Sequence, residues 1–166
     1  KHPRQRDGAR ALGASEVVPP AEALNAVRRT TRALKLRPER GAPFLLGGVD
    51  VAIDAAGSRS ALDLALRSVR AGGRVVLAGI PTEGVDLTPV WFRELEVAGA
   101  YTGGTERLDG AARRTSEIAV ELAARAPLRG LVGAIYPLGS WREAIDHALA
   151  AGRLGTVKVA FDPRRD

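Results

Sequence analysis

The chain has 166 residues, 45% hydrophobic and 27% charged, the make-up of one ordinary globular domain with its own core. It has no cysteine, which excludes disulfides and thiolate metal ligation, and no apolar run approaches the ~18 residues a membrane-spanning helix needs. The formal charge of +6 is mostly arginine spread along the chain (Arg28, Arg29, Arg32, Arg37, Arg40, Arg113, Arg114), with no aromatic-rich or helix-turn-helix pattern beside it. Neither nucleic acid nor a membrane is therefore expected as a partner.

Lys1-His2-Pro3-Arg4-Gln5-Arg6 is basic, but no apolar core follows it, so no secretory leader is expected and the default location is cytoplasmic. The chain contains no methionine, and a piece of a longer protein is the expectation. Pro3 suits the first turn of a helix running to about Leu12, with Gly13 as its cap. Glu16-Val17-Val18 reads as a short strand closed by Pro19-Pro20. From Ala21 to about Leu36, the residues Leu24, Val27 and Leu34 fit a helical face imperfectly, and Arg37 to Gly48 reads as a loop.

Val49 to Asp54 is a buried-type strand, followed by Ala55-Ala56-Gly57. Ser60 with Asp63 makes an N-terminal capping pattern; Leu62, Ala65, Leu66 and Val69 repeat at helical spacing; Gly72-Gly73 is the expected stop. Arg74 to Gly79 is a second buried strand. Strand, helix, strand is the crossover of a parallel sheet. A short helix is expected from Pro89 to Leu95 and a third strand from Glu96 to Tyr101, ending at Gly103-Gly104. A helix follows from about Leu108 to Arg125, then a brief strand at Ala134 to Tyr136. Ser140 and Glu143 form a capping box ahead of the stripe Trp141, Ala144, Ile145, Ala148 and Leu149; Gly152 closes that helix, and Thr156 to Phe161 is the last strand.

In an open parallel sheet, ligands sit beyond the carboxyl ends of the strands. Ala55-Ala56-Gly57-Ser58 and Ala78-Gly79-Ile80-Pro81 are small and flexible there. Small residues let a flat ring or a ribose approach the backbone and leave N–H and C=O groups free to bind it. Either turn alone reads more simply as a tight strand-to-helix connection. The two together, with Ala100-Tyr101-Thr102 at a third strand end, favour a cofactor site. His147 lies off the Trp141–Ile145–Leu149 stripe and is expected at the surface, and Asp54 ends a strand, where it could act as an acid or base.

The run VDVAIDAAGS…LDLALRSVRAGGRVVLAGIP…VWFRELEVAGAYTGG, with the tail from Pro137 through Trp141-Arg142-Glu143-Ala144 to Gly155-Thr156-Val157-Lys158-Val159, resembles the zinc-type medium-chain alcohol dehydrogenase family. The resemblance implies an α/β fold: strands three to six of a partial Rossmann-like doubly wound parallel sheet over residues 1–128. A C-terminal return to the GroES-like catalytic domain would follow over 129–166. It implies NAD(P) as cofactor, with Ala55 and Ala56 by the adenosine side and Gly57 also among the cofactor-binding residues. Ala78, Gly79 and Ile80 would meet the nicotinamide ribose and carboxamide, and Ala100, Tyr101 and Thr102 would line the nicotinamide end. Lys1, His2 and Arg4 fall where the family meets the adenine ribose. A basic cluster there suits a 2′-phosphate, although Arg4 and Arg6 read equally well as a solvated helix face. Thr156 stands where many relatives carry a basic residue, which weakens any phosphate contact at that position, and the resemblance makes Asp54 a turn-former, since relatives carry a carboxylate there in that role.

The family's activity is hydride transfer between NAD(P) and an alcohol/carbonyl pair, with a catalytic zinc whose ligands, like the glycine-rich phosphate turn, would lie outside this chain. No catalytic residue and no metal ligand is assigned to the chain, which is expected to be inactive alone. A homodimer or homotetramer is implied for the intact protein, with Trp91 and Phe92 as core or subunit contacts. Two alternatives stay open: a zinc-free quinone or enoyl reductase relative, and a non-catalytic nucleotide-binding module. Without strands one and two, strand three would lack a neighbour and strand four would expose an edge, so the isolated chain is expected to aggregate or fold only in part.

Overall fold

The computed structural model describes residues 2–126 and 128–165. They form a mixed α/β fold that divides into two compact units. Val18–Thr102 is one; the segments up to Val17 and from Gly103 form the other.

The other unit begins with helix α1 (Pro3–Ala11), whose proline occupies the first turn. Between α1 and the next helix no strand forms at Glu16 to Val18. A strand is defined by its ladder, and this segment has none; Pro19 and Pro20 also remove two backbone donors beside it.

In the Val18–Thr102 unit, helix α2 (Pro20–Thr31) ends where Arg32 turns left-handed, at φ 56°. The expected continuation to Leu36 is thereby cut. Residues Leu34–Leu36 form strand β1 instead, antiparallel to β2 (Phe44–Leu46), which rises out of the expected loop. Leu34-Lys35-Leu36 alternates with a period of two, and Lys35 Nζ donates to Asn25 Oδ1 at 2.8 Å.

Strand β3 (Val49–Asp54), helix α3 (Arg59–Ser68) and strand β4 (Val69–Leu77) give the expected crossover, and β3 pairs parallel to β4. Helix α3 is capped by Ser58, whose hydroxyl accepts from the Ala61 amide at 3.3 Å. Asp63, expected in that cap with Ser60, accepts from Arg67 Nε at 2.8 Å instead. The helix stops at Ser68, not at Gly72-Gly73. Val69 already pairs with Val49, and the register then slips so that Arg74 pairs with Val51. The two glycines shape this irregularity: Gly72 has φ +64°, and a Cβ on Gly73 would lie 2.8 Å from the Asp50 carbonyl oxygen. After α4 (Thr88–Arg93), strand β5 (Glu96–Gly99) completes a parallel sheet of order β3-β4-β5.

Leu62, Ala65, Leu66, Val69, Val75 and Leu95 form the core between α3 and this sheet. Each fully buried leucine or valine there contributes roughly 1.5–3 kcal/mol. Two buried arginines close its margins. Arg67 donates to Asp63, to the Ala42 carbonyl and to Asp86. Arg93 lies over the Phe44 ring and donates to the carbonyls of Leu66 and Gly47, which caps the end of α3; burial pushes its pKa down.

Past Thr102 the chain re-enters the other unit. Strands β6 (Thr105–Leu108) and β7 (Ala111–Arg114) form an antiparallel hairpin where a helix is expected, and α5 (Thr115–Arg125) starts only after it. Asp109 and Gly110 both have positive φ, 51° and 81°, and such an Asp-Gly turn matches the twist of a two-residue hairpin. Strand β8 (Val132–Tyr136), helix α6 (Trp141–Leu154) and strand β9 (Lys158–Phe161) make a second parallel crossover. The Ser140–Glu143 capping box does not form: a single 3-10 turn, Leu138–Ser140, leads into α6, and the Ser140 side chain makes no cap bond. Helix α6 continues through Gly152 to Gly155, which takes the left-handed cap at φ 70°. Of the expected apolar stripe only Ala144 is buried; Trp141, Ile145, Ala148 and Leu149 are exposed.

Candidate functional site

Asp54, Leu77 and Gly99 stand in register across β3, β4 and β5, so three strands leave the sheet at one level. This register gathers most of the sequence-predicted residues. Ala78, Gly79 and Ile80 follow β4, and Ala100 and Tyr101 follow β5; with Leu77, Pro81 and Gly99 they line one apolar cleft of about 440 Å³. Ile80 and Tyr101 are 92% and 89% exposed, so both side chains are open to a ligand. Thr102, also exposed, is outside that lining.

Ala55 and Ala56 line a different groove of about 500 Å³, between β3, α2 and α3, together with Ile53, Asp54, Val27 and Leu64. Gly57 is buried and belongs to neither lining. A Cβ on Gly57 would fall 2.1 Å from the Ile80 carbonyl oxygen, and one on Gly79 would fall 2.4 Å from the Gly57 nitrogen. Glycine is needed at both positions because the two turns pack backbone to backbone.

Five backbone amides at these strand ends are already bonded within the chain, contrary to the expectation from sequence. Ala56 and Gly57 donate to Asp54 Oδ1, each at 3.0 Å. Ala78 and Gly79 donate to the Asp54 carbonyl at 2.9 and 2.8 Å, and Ala100 donates to the Leu77 carbonyl at 2.9 Å. Short turns bond their own donors first, so what they offer a ligand is shape, apolar surface and side chains. Asp54 thus joins the site as its organising residue. It is 3% exposed, and its second oxygen, Oδ2, is buried without a partner among the described residues. The signal in the sequence was a strand-final carboxylate directly ahead of Ala-Ala-Gly.

The remaining predicted residues are placed elsewhere. Lys1 lies outside the described residues. Arg4 is in the other unit, where it lines a pocket of about 270 Å³ with Asp7, Leu12, Leu131 and Val157. His2 packs its imidazole against Gly152 in that same unit. Thr156 is 6% exposed, and its hydroxyl bonds His147 Nε2 at 2.8 Å. His147, expected at the surface, is half-buried and also meets the Tyr136 hydroxyl through Nδ1 at 2.8 Å. Among the described residues no group of three or more His, Cys, Asp or Glu could hold a metal ion. No helix among them is long and apolar enough to cross a membrane.

A family model described as zinc-binding dehydrogenase matches residues 1–117. The chain belongs to the zinc-binding dehydrogenase family. No curated protein matches its sequence. Among solved structures, it resembles 2R,3R-butanediol dehydrogenase from Bacillus subtilis at a TM-score of 0.67 and 20% identity, covering 98% of this chain and 42% of that one. A Sinorhizobium meliloti 1021 protein assigned as a zinc-binding dehydrogenase, solved bound to NADP, gives a TM-score of 0.65 and 25% identity over 97% of this chain and 43% of that one. An Escherichia coli oxidoreductase/dehydrogenase of unknown specificity gives 0.68 and 17%, over 96% and 41%. The chain therefore spans about two fifths of the length of the structures it matches, and it shares the fold of that part, a partial Rossmann-like α/β domain.

Proposed function

We propose that this chain supplies the floor of a nicotinamide-nucleotide site in an oxidoreductase that moves a hydride between NAD(P) and an alcohol/carbonyl pair. The observation that carries the proposal is the common level of the three strand ends, which places Ala78, Gly79, Ile80, Ala100 and Tyr101 around one apolar cleft. A cleft of that size and lining suits a flat heterocycle. The buried Gly57–Gly79 contact fits the same purpose, because a Cβ at either position would displace the turn that forms the floor. When bound, the nicotinamide would accept or donate the hydride; the chain's part is to hold the ring flat and exclude water from one side of it.

Residues 1–128 are proposed as the nucleotide-binding portion and 129–166 as the return segment of the catalytic domain. The described residues offer no metal-binding donor set, and no step is derived through zinc. The family and the NADP-bound neighbour support a nicotinamide cofactor and a small-molecule alcohol or carbonyl substrate. Between NAD and NADP we favour neither: Arg4 lines its own pocket beside Asp7, and that pocket is equally a solvated helix face.

The test is an NMR titration of the chain with NADH and with NADPH. Resonances of Ala78, Ile80, Ala100 and Tyr101 are expected to shift with both, and to shift less with adenosine monophosphate, which lacks the nicotinamide. Shifts confined to Arg4, Leu131 and Val157, or none at all, would sink the proposal.

A further inference from the structure

A carboxylate as buried as Asp54 persists only where donors meet it. Oδ1 meets two, the amides of Ala56 and Gly57, and so fixes the turn that follows β3. The carbonyl oxygen of the same residue meets two more, the amides of Ala78 and Gly79, and so fixes the turn that follows β4. Those turns touch where Gly57 meets Gly79 and Ile80. Four amides from two strand ends thus converge on one residue, and the orientation of its peptide is shared between them. A turn-former in the ordinary sense accounts for the first pair of bonds alone.

We infer that Asp54 is a positioning residue that couples the Ala55–Gly57 turn to the Ala78–Ile80 turn, so that the nucleotide cleft keeps its shape only while an acceptor oxygen stands at Oδ1. The dependence of affinity on Asp54 rests on the nucleotide site proposed above; the coupling of the turns does not. Asp54 touches no reacting atom in this scheme. Because Oδ2 has no partner among the described residues, the role needs an acceptor and not a charge.

The test compares Asp54→Asn with Asp54→Ala in the chain, reading NADH affinity by NMR titration and amide hydrogen exchange residue by residue. Asn keeps an acceptor at Oδ1. It should hold NADH within about threefold of the parent and leave exchange at Ala78 and Gly79 unchanged. Ala removes both side-chain bonds, and NADH should bind about tenfold more weakly or worse. Exchange should then quicken at Ala56 and Gly57, and also at Ala78 and Gly79, whose own bonds run to backbone. The amides of Leu66 and Val75, in the core, should keep their protection.

Should Asp54→Ala fail to fold, Gly57→Ala carries the test: it breaks the contact with Ile80 while leaving the carboxylate in place, and should quicken exchange at Ala78 and Gly79. Unchanged exchange at Ala78 and Gly79 in both Asp54→Ala and Gly57→Ala would overturn the coupling. An Asn variant as impaired as the Ala variant would overturn it too, because the charge would then be the requirement. A parent chain that binds neither NADH nor NADPH would end the nucleotide reading, while the exchange data would still decide the coupling.

Discussion

The two units of this chain solve the problem of burial differently. Nine of the ten buried hydrophobic residues among those described lie in Val18–Thr102, and only Ala144 lies in the other unit. The first folds helix α3 onto a three-stranded parallel sheet and seals it with arginines that bond carbonyls. The second has comparable helices and strands, yet Val120, Leu122, Leu149 and Leu154 face solvent. Backbone pairing and hydrogen-bonded side chains such as His147 hold it, with little apolar burial behind them. Secondary structure is thus no measure of a core: the site sits on the unit that has one, where three strand ends can be kept at a fixed level.

The largest expected effect tests that contrast directly. Leu66→Ala empties the centre of the core and should lower the stability of the Val18–Thr102 unit by about 3 kcal/mol. Exchange at Val75 should quicken accordingly, while Val159 in β9 keeps its rate. An equal loss at Val159 would break the contrast, since the two units would then unfold as one. Gly79→Ala should cost about 2 kcal/mol, because its Cβ must push against the backbone of Gly57. The matched change Gly139→Ala, with nothing within 4 Å, should stay within about 0.5 kcal/mol in a urea titration. Smaller again is His147→Leu, which strands the buried Thr156 hydroxyl and should destabilise the α6–β8–β9 unit by about 1–2 kcal/mol. If the urea midpoint of that unit does not move, the Tyr136–His147–Thr156 bonds are ornamental.

Legibility followed the same contrast. The crossover from Val49 to Gly79 could be read from sequence because Leu62, Ala65, Leu66 and Val69 repeat at helical spacing between two short apolar runs; the burial expected of the first run is not found, since Val51 and Ile53 are 50% and 67% exposed on β3. The site could be read only in outline. Small residues at Ala55–Gly57 and Ala78–Gly79 marked the place, but the amides of Ala56, Gly57, Ala78 and Gly79 bond Asp54, and that depends on register across strands that sequence spacing does not encode. Where the core is thin the reading failed more often. The helix expected from Leu108 overran a hairpin whose Asp109-Gly110 turn was the stronger local signal. The stripe on α6 suggested a buried face that the structure exposes, and Ser140–Glu143 had the letters of a capping box without the backbone entry angle it needs. His147 seemed peripheral because its partners lie on either side of its helix in the chain, Tyr136 at the end of β8 and Thr156 two residues ahead of β9, and only the parallel pairing of β8 with β9 brings them to it.

Acid should act on both units alike, and the expected effect is the smallest. Asp50 is held below the usual carboxylate range by the hydrogen bond and charge of Arg70, and Asp86 chiefly by its hydrogen bonds from Thr88. In the other unit Glu121 is held down by its hydrogen bond and charge from Arg113, and Asp162 first by its hydrogen bond from Arg164. A carboxyl whose folded pKa is depressed adds stability that is fully present above its unfolded value, about 3.9 for Asp and 4.3 for Glu, and is lost as the pH falls through the folded value. Stability should therefore be level from neutral pH down to about 5 and decline below it. All four groups are solvent-screened, so the decline should be shallow and should flatten further in about 1 M salt, where the screening length falls to roughly 3 Å. Thermal melts followed separately through Val75 and Val159 would show it. A steep loss, or one confined to either unit, would break the expectation that these screened pairs set the acid response of both.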